Sequence, residues 1–128
     1  MDDSNPCPCR RGDVFAECCG PLLAGRPAPS AEALMRSRFT AFALGDTAYL
    51  RRSWHPDTRP ARLDLDPDRR WLFLEIHAVT GGGPFEQSGT VEFTAHYRDP
   101  DGRGRLHEIS RFTRVDGAWC YVDGDIAE

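Results

Sequence analysis

Lysine is absent. All 16 basic residues of this 128-residue chain are arginine, set against 20 Asp and Glu, for a net charge of −4. That balance argues against binding nucleic acid over the whole surface, which needs a basic domain. The pairs Arg10–Arg11, Arg51–Arg52 and Arg69–Arg70 read as solvated surface, with RNA or ribosome contact as the minor alternative. Also missing is any apolar run near the ~20 residues that span a bilayer, so no membrane association is expected. The opening Met-Asp-Asp-Ser-Asn-Pro lacks the basic-then-apolar character of a secretory signal. Cysteine is sparse and odd in number: Cys7, Cys9, Cys18, Cys19 and Cys120. Five cysteines without a signal argue against a secreted disulfide framework, and a cytoplasmic protein is expected.

What is present suits one globular domain with a small appendage: 40% hydrophobic and 28% charged residues. Four of the five cysteines fall within the first 19 residues, so residues 1–25 read as a separate knuckle. A linker with two prolines, Gly25 to Ser30, follows, and residues 30–128 carry an α-then-β pattern. Ser30 is a good N-cap. Met35, Phe39, Phe42 and Ala43 recur with helical spacing, and Gly45 ends that helix. Asp46 caps a second helix with Tyr49, Leu50 and Trp54 on its buried side, closed by His55–Pro56. Residues 56–70 read as loop. Four strands are expected over 71–79, 91–98, 106–115 and 118–123, the last two joined through Asp116–Gly117. The fold class is therefore α+β, helices packed on an antiparallel meander. A two-residue hairpin would place Val115 opposite Ala118, Thr113 opposite Cys120 and Arg111 opposite Val122, with Ile109 and His107 on the same face. Arg114–Trp119, Phe112–Tyr121, Ser110 and Glu108 take the other face. Both faces are largely apolar, so one awaits the helices and the other the knuckle, a chain end or a second subunit in a homodimer.

The knuckle spaces its thiols as Cys7-x-Cys9, eight residues, then Cys18–Cys19. Cys-Pro-Cys puts two thiols on one side of a tight loop, and Gly12 permits the left-handed backbone such a loop needs. Asp13–Cys19 is expected as a short helix stopped by Gly20–Pro21, with Phe15 shielding the site. Disulfides within Cys7–Cys9 or Cys18–Cys19 would be strained. Four soft ligands point to one structural zinc ion held by Cys7, Cys9, Cys18 and Cys19, with iron the main competitor. Arg10 and Arg11 sit where they could offset the site's negative charge.

The stretch CPCRRGDVFAECCG (7–20) resembles the SEC-C motif, a zinc-binding element found at the end of the SecA translocase. The usual form begins Cys-Pro-Cys-Gly-Ser-Gly-Lys. Here all four ligand positions, Gly12 and an aromatic at Phe15 are kept, whereas Arg10, Arg11 and Asp13 replace Gly, Ser and Lys. AEALMRSRFTAFALGD, SWHPDTRP, WLFLEI, LHEISRF and WCYVDGD resemble the bacterial YchJ-type family. The resemblance covers Cys7 to about Gly124. It implies a SEC-C knuckle joined to a domain similar to nuclear transport factor 2, a curved sheet wrapped on helices into a cone. It names no activity.

Cones of this kind often hold a small ligand between sheet and helices. Trp54, His55 and Arg59, where the second helix gives way to loop, and His107 and Arg111 on their strand face are the candidate pocket residues, suited to a small anionic ligand. A plain structural role competes: His55 bonding a carbonyl, and Arg36, Arg38 and Arg111 paired with carboxylates. The leading expectation is a zinc-stabilised module that binds a protein partner, with the translation or secretion machinery as the candidate, or a small ligand. The alternative is a small acid–base enzyme acting on an anionic metabolite, although no nucleophile motif is visible. Gly81–Gly83 reads as a loop, since no helix follows it. Asp64, Asp66 and Asp68 lack the glycine and glutamate of a calcium loop. Cys120 reads as a buried small hydrophobe.

Overall fold

A computed structural model describes residues 4–127. In chain order it has a single 3-10 turn at Phe15–Glu17, then helices α1 (Gly20–Leu23), α2 (Ala31–Leu44) and α3 (Thr47–Arg52). Strands β1 (Arg70–Gly81), β2 (Ser88–Asp99), β3 (Gly102–Val115) and β4 (Ala118–Ile126) follow. The strands pair antiparallel in chain order, β1-β2-β3-β4, so the expected meander is present.

The helix boundaries follow from local chemistry. Ser30 Oγ accepts the Ala33 N–H at 3.1 Å and Gly45 takes the left-handed C-terminal position at φ 74°. Asp46 Oδ1 accepts the Tyr49 N–H at 3.0 Å. Helix α3 stops at Arg52, before the expected His55–Pro56 stop. Ser53 Oγ donates back to the Tyr49 carbonyl at 2.8 Å. The chain then pairs with β4: the Tyr121 N–H donates to Ser53 O at 2.9 Å and the His55 N–H to Tyr121 O at 2.7 Å. Residues 53–55 are thus drawn onto the sheet, which fixes Trp54 beside Tyr121.

Three bulges bend the sheet. Leu72 and His77 are extra residues in β1, and Val122 is an extra residue in β4. The last hairpin keeps the expected pairs Val115–Ala118, Arg114–Trp119, Thr113–Cys120 and Phe112–Tyr121. The expected Arg111–Val122 pair is corrected: Arg111 pairs with Asp123, because the bulge takes Val122 out of register. The turn itself is built as Asp-Gly turns are, with φ 52° at Asp116 and 84° at Gly117.

Helix α2 fills the hollow of the sheet. Leu34, Met35 and Phe39 pack against Val91, Phe93, Ala95, Phe112 and Trp119. A smaller cluster of Ala41, Tyr49 and Leu50 joins α2 to α3, where Tyr49 and Ser37 hydroxyls meet at 2.6 Å. The glycine loop after β1 seats the start of α2: the Ala31 N–H donates to Gly82 O, and a Cβ at Gly82 would come within 2.6 Å of Ala31 Cβ. The first cysteines belong to the same core as α2 and the sheet, with Cys7, Cys9 and Cys19 all buried in it. The expected helix over Asp13–Cys19 is corrected to one 3-10 turn, and Gly20–Pro21 opens α1 rather than ending a helix. Proline fits a first helical turn because the N–H it lacks has no partner there.

Candidate functional site

The cysteine cluster is shaped by two tight turns. The Arg10 N–H donates to Cys7 O at 2.9 Å and the Cys7 N–H to Asp13 O at 3.0 Å. Arg10 adopts φ 58° and Gly12 φ 120°, so both turns use the left-handed region. The result brings the Sγ atoms of Cys7, Cys9, Cys18 and Cys19 within 4.8 Å of one another. Cys9 and Cys18 sulfurs are 3.5 Å apart, and Cys18 and Cys19 sulfurs 4.0 Å. All are free thiols. A tetrahedron with metal–sulfur bonds of about 2.3 Å has edges of about 3.8 Å, so these separations fit a four-coordinate ion.

Charge in the cluster points the same way. Hydrogen bonds from Cys19 and Cys9 hold the Cys7 thiol far below the ordinary thiol range. Cys19 is pushed up, first by its hydrogen bond to Cys7. Cys18 is pushed up to about 12, mainly by burial. A metal takes cysteine as thiolate, so a cation would complete the cluster by displacing thiol protons. Thr40 of α2 stands behind it, its Oγ1 3.6 Å from Cys7 Sγ. Arg10, expected to offset the charge, lies over the Phe73 ring at 5.8 Å, and Arg11 is exposed. Cys120 lies apart in β4, its nearest polar contact being the Ala118 carbonyl.

A cavity of about 220 Å³ opens between α2 and the hollow of the sheet. Of the five residues expected to line a pocket, Trp54 borders this cavity, and His107 borders a separate hollow with His77, Thr94 and His96. His55 closes its own turn, its Nδ1 accepting the Asp57 N–H at 3.0 Å. Arg59 clamps the loop by donating to Trp54 O from Nε and Nη2 at 3.2 and 2.9 Å. His107 and Arg111 are on the convex side. His107 Nε2 meets Glu92 Oε2 at 2.7 Å, while Arg111 donates to Asp123 and Asp125 at 2.5 and 2.7 Å. His107 and Arg111 therefore do not border the cavity beneath α2. Alternation sorts residues onto two faces but does not say which face is hollow, and the hollow one carries Leu106, Glu108 and Ser110.

Sequence reasoning missed the residue that stands out there, Arg38. It is 3% exposed, on the inward stripe of α2 between Met35 and Phe42. Its Nη1 donates to Leu50 O at 2.8 Å and Ser53 Oγ at 2.7 Å. Its guanidinium lies 5.0 Å from the Trp54 ring centre and 4.5 Å from that of Tyr121. Among the described residues no carboxylate pairs with it; the expected carboxylate partner is found for Arg36, on Glu32 at 3.0 Å, and not for Arg38. Burial pulls its pKa down to about 10. Glu108, also on the wall, is pushed above the ordinary carboxylate range by burial, and Tyr121 up to about 12 for the same reason. The signal for Arg38 was legible: an arginine three residues after Met35 and four before Phe42 lies on an apolar helical stripe.

Comparison with known proteins matches both parts. Residues 30–124 match the family model described as the YchJ middle NTF2-like domain, and residues 4–21 match the SEC-C motif. A UPF0225 protein of Streptomyces coelicolor is 56% identical, over 96% of this chain and 97% of its own length. One from Deinococcus radiodurans is 48% identical over 92% and 87%. Among solved structures, a SEC-C motif containing protein from Rhodopseudomonas palustris superimposes with a TM-score of 0.83 at 35% identity, covering 95% of this chain and 98% of that one. Another from Psychrobacter arcticus gives 0.77 at 26% identity, covering 95% and 82%. Among the described residues no helix is long and apolar enough to cross a membrane. The four-cysteine cluster, the helix-filled curved sheet and these matches together place the chain in the YchJ family, a SEC-C motif joined to an NTF2-like domain.

Proposed function

We propose that this protein is a zinc-stabilised binding protein whose cone holds a small anionic molecule. Four closely spaced thiols with no open position suit a structural zinc ion, which would tie the N-terminal segment to α2. The ligand reading is carried by Arg38, a buried guanidinium with no carboxylate partner among the described residues, on the wall of an apolar cavity. A charge in that position is costly unless something completes it. Native mass spectrometry of the purified protein tests both halves. One zinc per chain and a co-purifying small acid are expected. A metal-free folded chain overturns the first half. A cavity that takes up no organic acid in NMR titration overturns the second.

Glu108 supports a second reading. A half-buried carboxylate on the cavity wall, its pKa raised by burial and its Oε1 accepting from the Tyr121 hydroxyl, is placed to exchange a proton with a bound molecule. Turnover of the bound acid by the wild type and not by Glu108→Gln would select catalysis over binding.

A further inference from the structure

Three charged side chains line the cavity, Arg38, Arg69 and Glu108; Arg69 is paired through Nη2 with Asp99 at 3.3 Å, which leaves Arg38 and Glu108 as poles that differ in kind. At one, Arg38 Nη1 is occupied by Leu50 O and Ser53 Oγ. Nε and Nη2 have no protein partner among the described residues. The buried polar side-chain atoms without partners are Trp54 Nε1, Arg69 Nε and Trp119 Nε1, so the free edge of Arg38 is not sealed off. With the residue 3% exposed, that edge opens into the cavity it lines. The Nε–Nη2 edge is a fork that accepts a carboxylate through two parallel hydrogen bonds.

The other pole is Glu108. Its Oε1 receives only a long hydrogen bond, from the Tyr121 hydroxyl at 3.4 Å. The carboxyl group is seated over Gly124 of β4, where any Cβ would collide with Oε1 and Cδ. The glycine leaves the space that the end of the Glu108 side chain fills in this rotamer. Tyr121 separates the poles, its ring under the Arg38 guanidinium and its hydroxyl at Glu108. An ionised carboxylate only accepts hydrogen bonds, so the Glu108 pole asks for a donor while the Arg38 pole asks for an anion. Between them the wall is aromatic: Phe39, Phe42, Trp54, Trp71 and Phe93. The space admits on the order of ten non-hydrogen atoms.

We infer, building on the reading of the cone as an acid-binding site, that its ligand is a small aromatic carboxylic acid with a hydroxyl at the end away from the carboxylate. The carboxylate sits on the Nε–Nη2 edge of Arg38, the ring lies among the aromatic side chains, and the hydroxyl donates to Glu108. Inorganic phosphate fits poorly, because its remaining oxygens would face apolar walls and the Glu108 carboxylate.

The test is titration of the full-length, metal-loaded protein with 4-hydroxyphenylacetate, phenylacetate, 4-cresol and inorganic phosphate, followed by NMR and calorimetry. The expected result is one site per chain for 4-hydroxyphenylacetate, with phenylacetate roughly tenfold or more weaker for want of a hydrogen bond to a charged group. Arg38→Met removes both acids. Glu108→Leu and Gly124→Ala each erase the preference for the hydroxylated acid while phenylacetate binding persists. Should Gly124→Ala disturb the strand, Glu108→Leu answers alone. Equal binding of the two acids overturns the role of Glu108 and leaves the cone as an acid site. Binding of cresol or phosphate in place of either acid overturns the inference. Binding of none of the four removes the acid-binding reading on which it rests.

Discussion

Replacing Arg38 by methionine asks whether the buried charge serves the fold or a ligand. At pH 7 arginine is protonated in both the folded and the unfolded chain. Burial pulls its folded pKa to about 10, which corresponds to roughly 3 kcal/mol against holding the charge in place. Against that stand two hydrogen bonds, to Leu50 O and Ser53 Oγ, at about 1 kcal/mol each. The faces of Trp54 and Tyr121 add about 1 kcal/mol together. The two sides cancel to within about 1 kcal/mol. Methionine is unbranched and fills the same slot. The groups it abandons keep each other, since Ser53 Oγ also bonds Tyr49 O and lies 3.3 Å from Leu50 O. Arg38→Met is therefore expected to change stability by less than about 1 kcal/mol, a Tm shift of about 5 °C or less. Its affinity for 4-hydroxyphenylacetate should fall by about a hundredfold, through loss of a bidentate charged contact. Urea unfolding read by tryptophan fluorescence gives the first number and calorimetric titration the second. A loss of about 3 kcal/mol with acid binding intact would refute the reasoning and make Arg38 a structural residue.

Changing any of Cys7, Cys9, Cys18 or Cys19 to Ser should abolish the bound zinc, measured by elemental analysis, whereas Cys120→Ser should keep it. Because three of the four are in the main core, metal removal should also lower Tm by about 10 °C or more, rather than melt only the N-terminal segment. Glu108 has its folded pKa raised by burial. Its protonated form is the one that folding favours, so its contribution is full below the unfolded pKa and is lost as pH rises through the folded value. Glu108→Gln should accordingly stabilise the protein at pH 7 and make no difference below about pH 4, as read by chemical unfolding at both pH values. Arg10 holds a left-handed backbone at φ 58°, where a non-glycine residue is strained by about 1–2 kcal/mol. Arg10→Gly relieves that strain and gives up the contact with Phe73, so a gain of about 0.5 kcal/mol or less is expected in thermal unfolding.

Much of the scaffold is written in short local signals. Ser30 and Asp46 cap their helices and Asp116–Gly117 makes the last hairpin because each acts on its immediate neighbours. The cysteine cluster is legible for the same reason, since Cys7-x-Cys9 and Cys18–Cys19 carry their geometry in their spacing. The cavity is a different matter. Glu108 and Ser110 alternate with His107, Ile109 and Arg111 along one strand, and nothing in that alternation says which set faces α2. That depends on the direction of curvature, which the bulges at Leu72, His77 and Val122 help to set. A bulge has no strong residue signature, and the one at Val122 moved Arg111 from an apolar neighbour to Asp123. Arg38 was readable as a charge on an apolar stripe, but that no carboxylate among the described residues pairs with it is a property of the assembled fold.

Helix α2 meets both centres of the molecule. Thr40 leans on Cys7 at one side, and on another side of the same turns Arg38, Phe39 and Phe42 form a wall of the cavity. A metal ion held by the cysteines, as proposed, would steady this helix and with it the wall of the cavity. Such a link is reciprocal: whatever factor metal occupancy adds to affinity for the acid, the acid adds to affinity for the metal. If the cluster holds zinc and the cavity an acid, as proposed, a cell short of zinc would hold less acid-binding protein than its total amount implies, and abundant ligand would protect the metal from competing chelators.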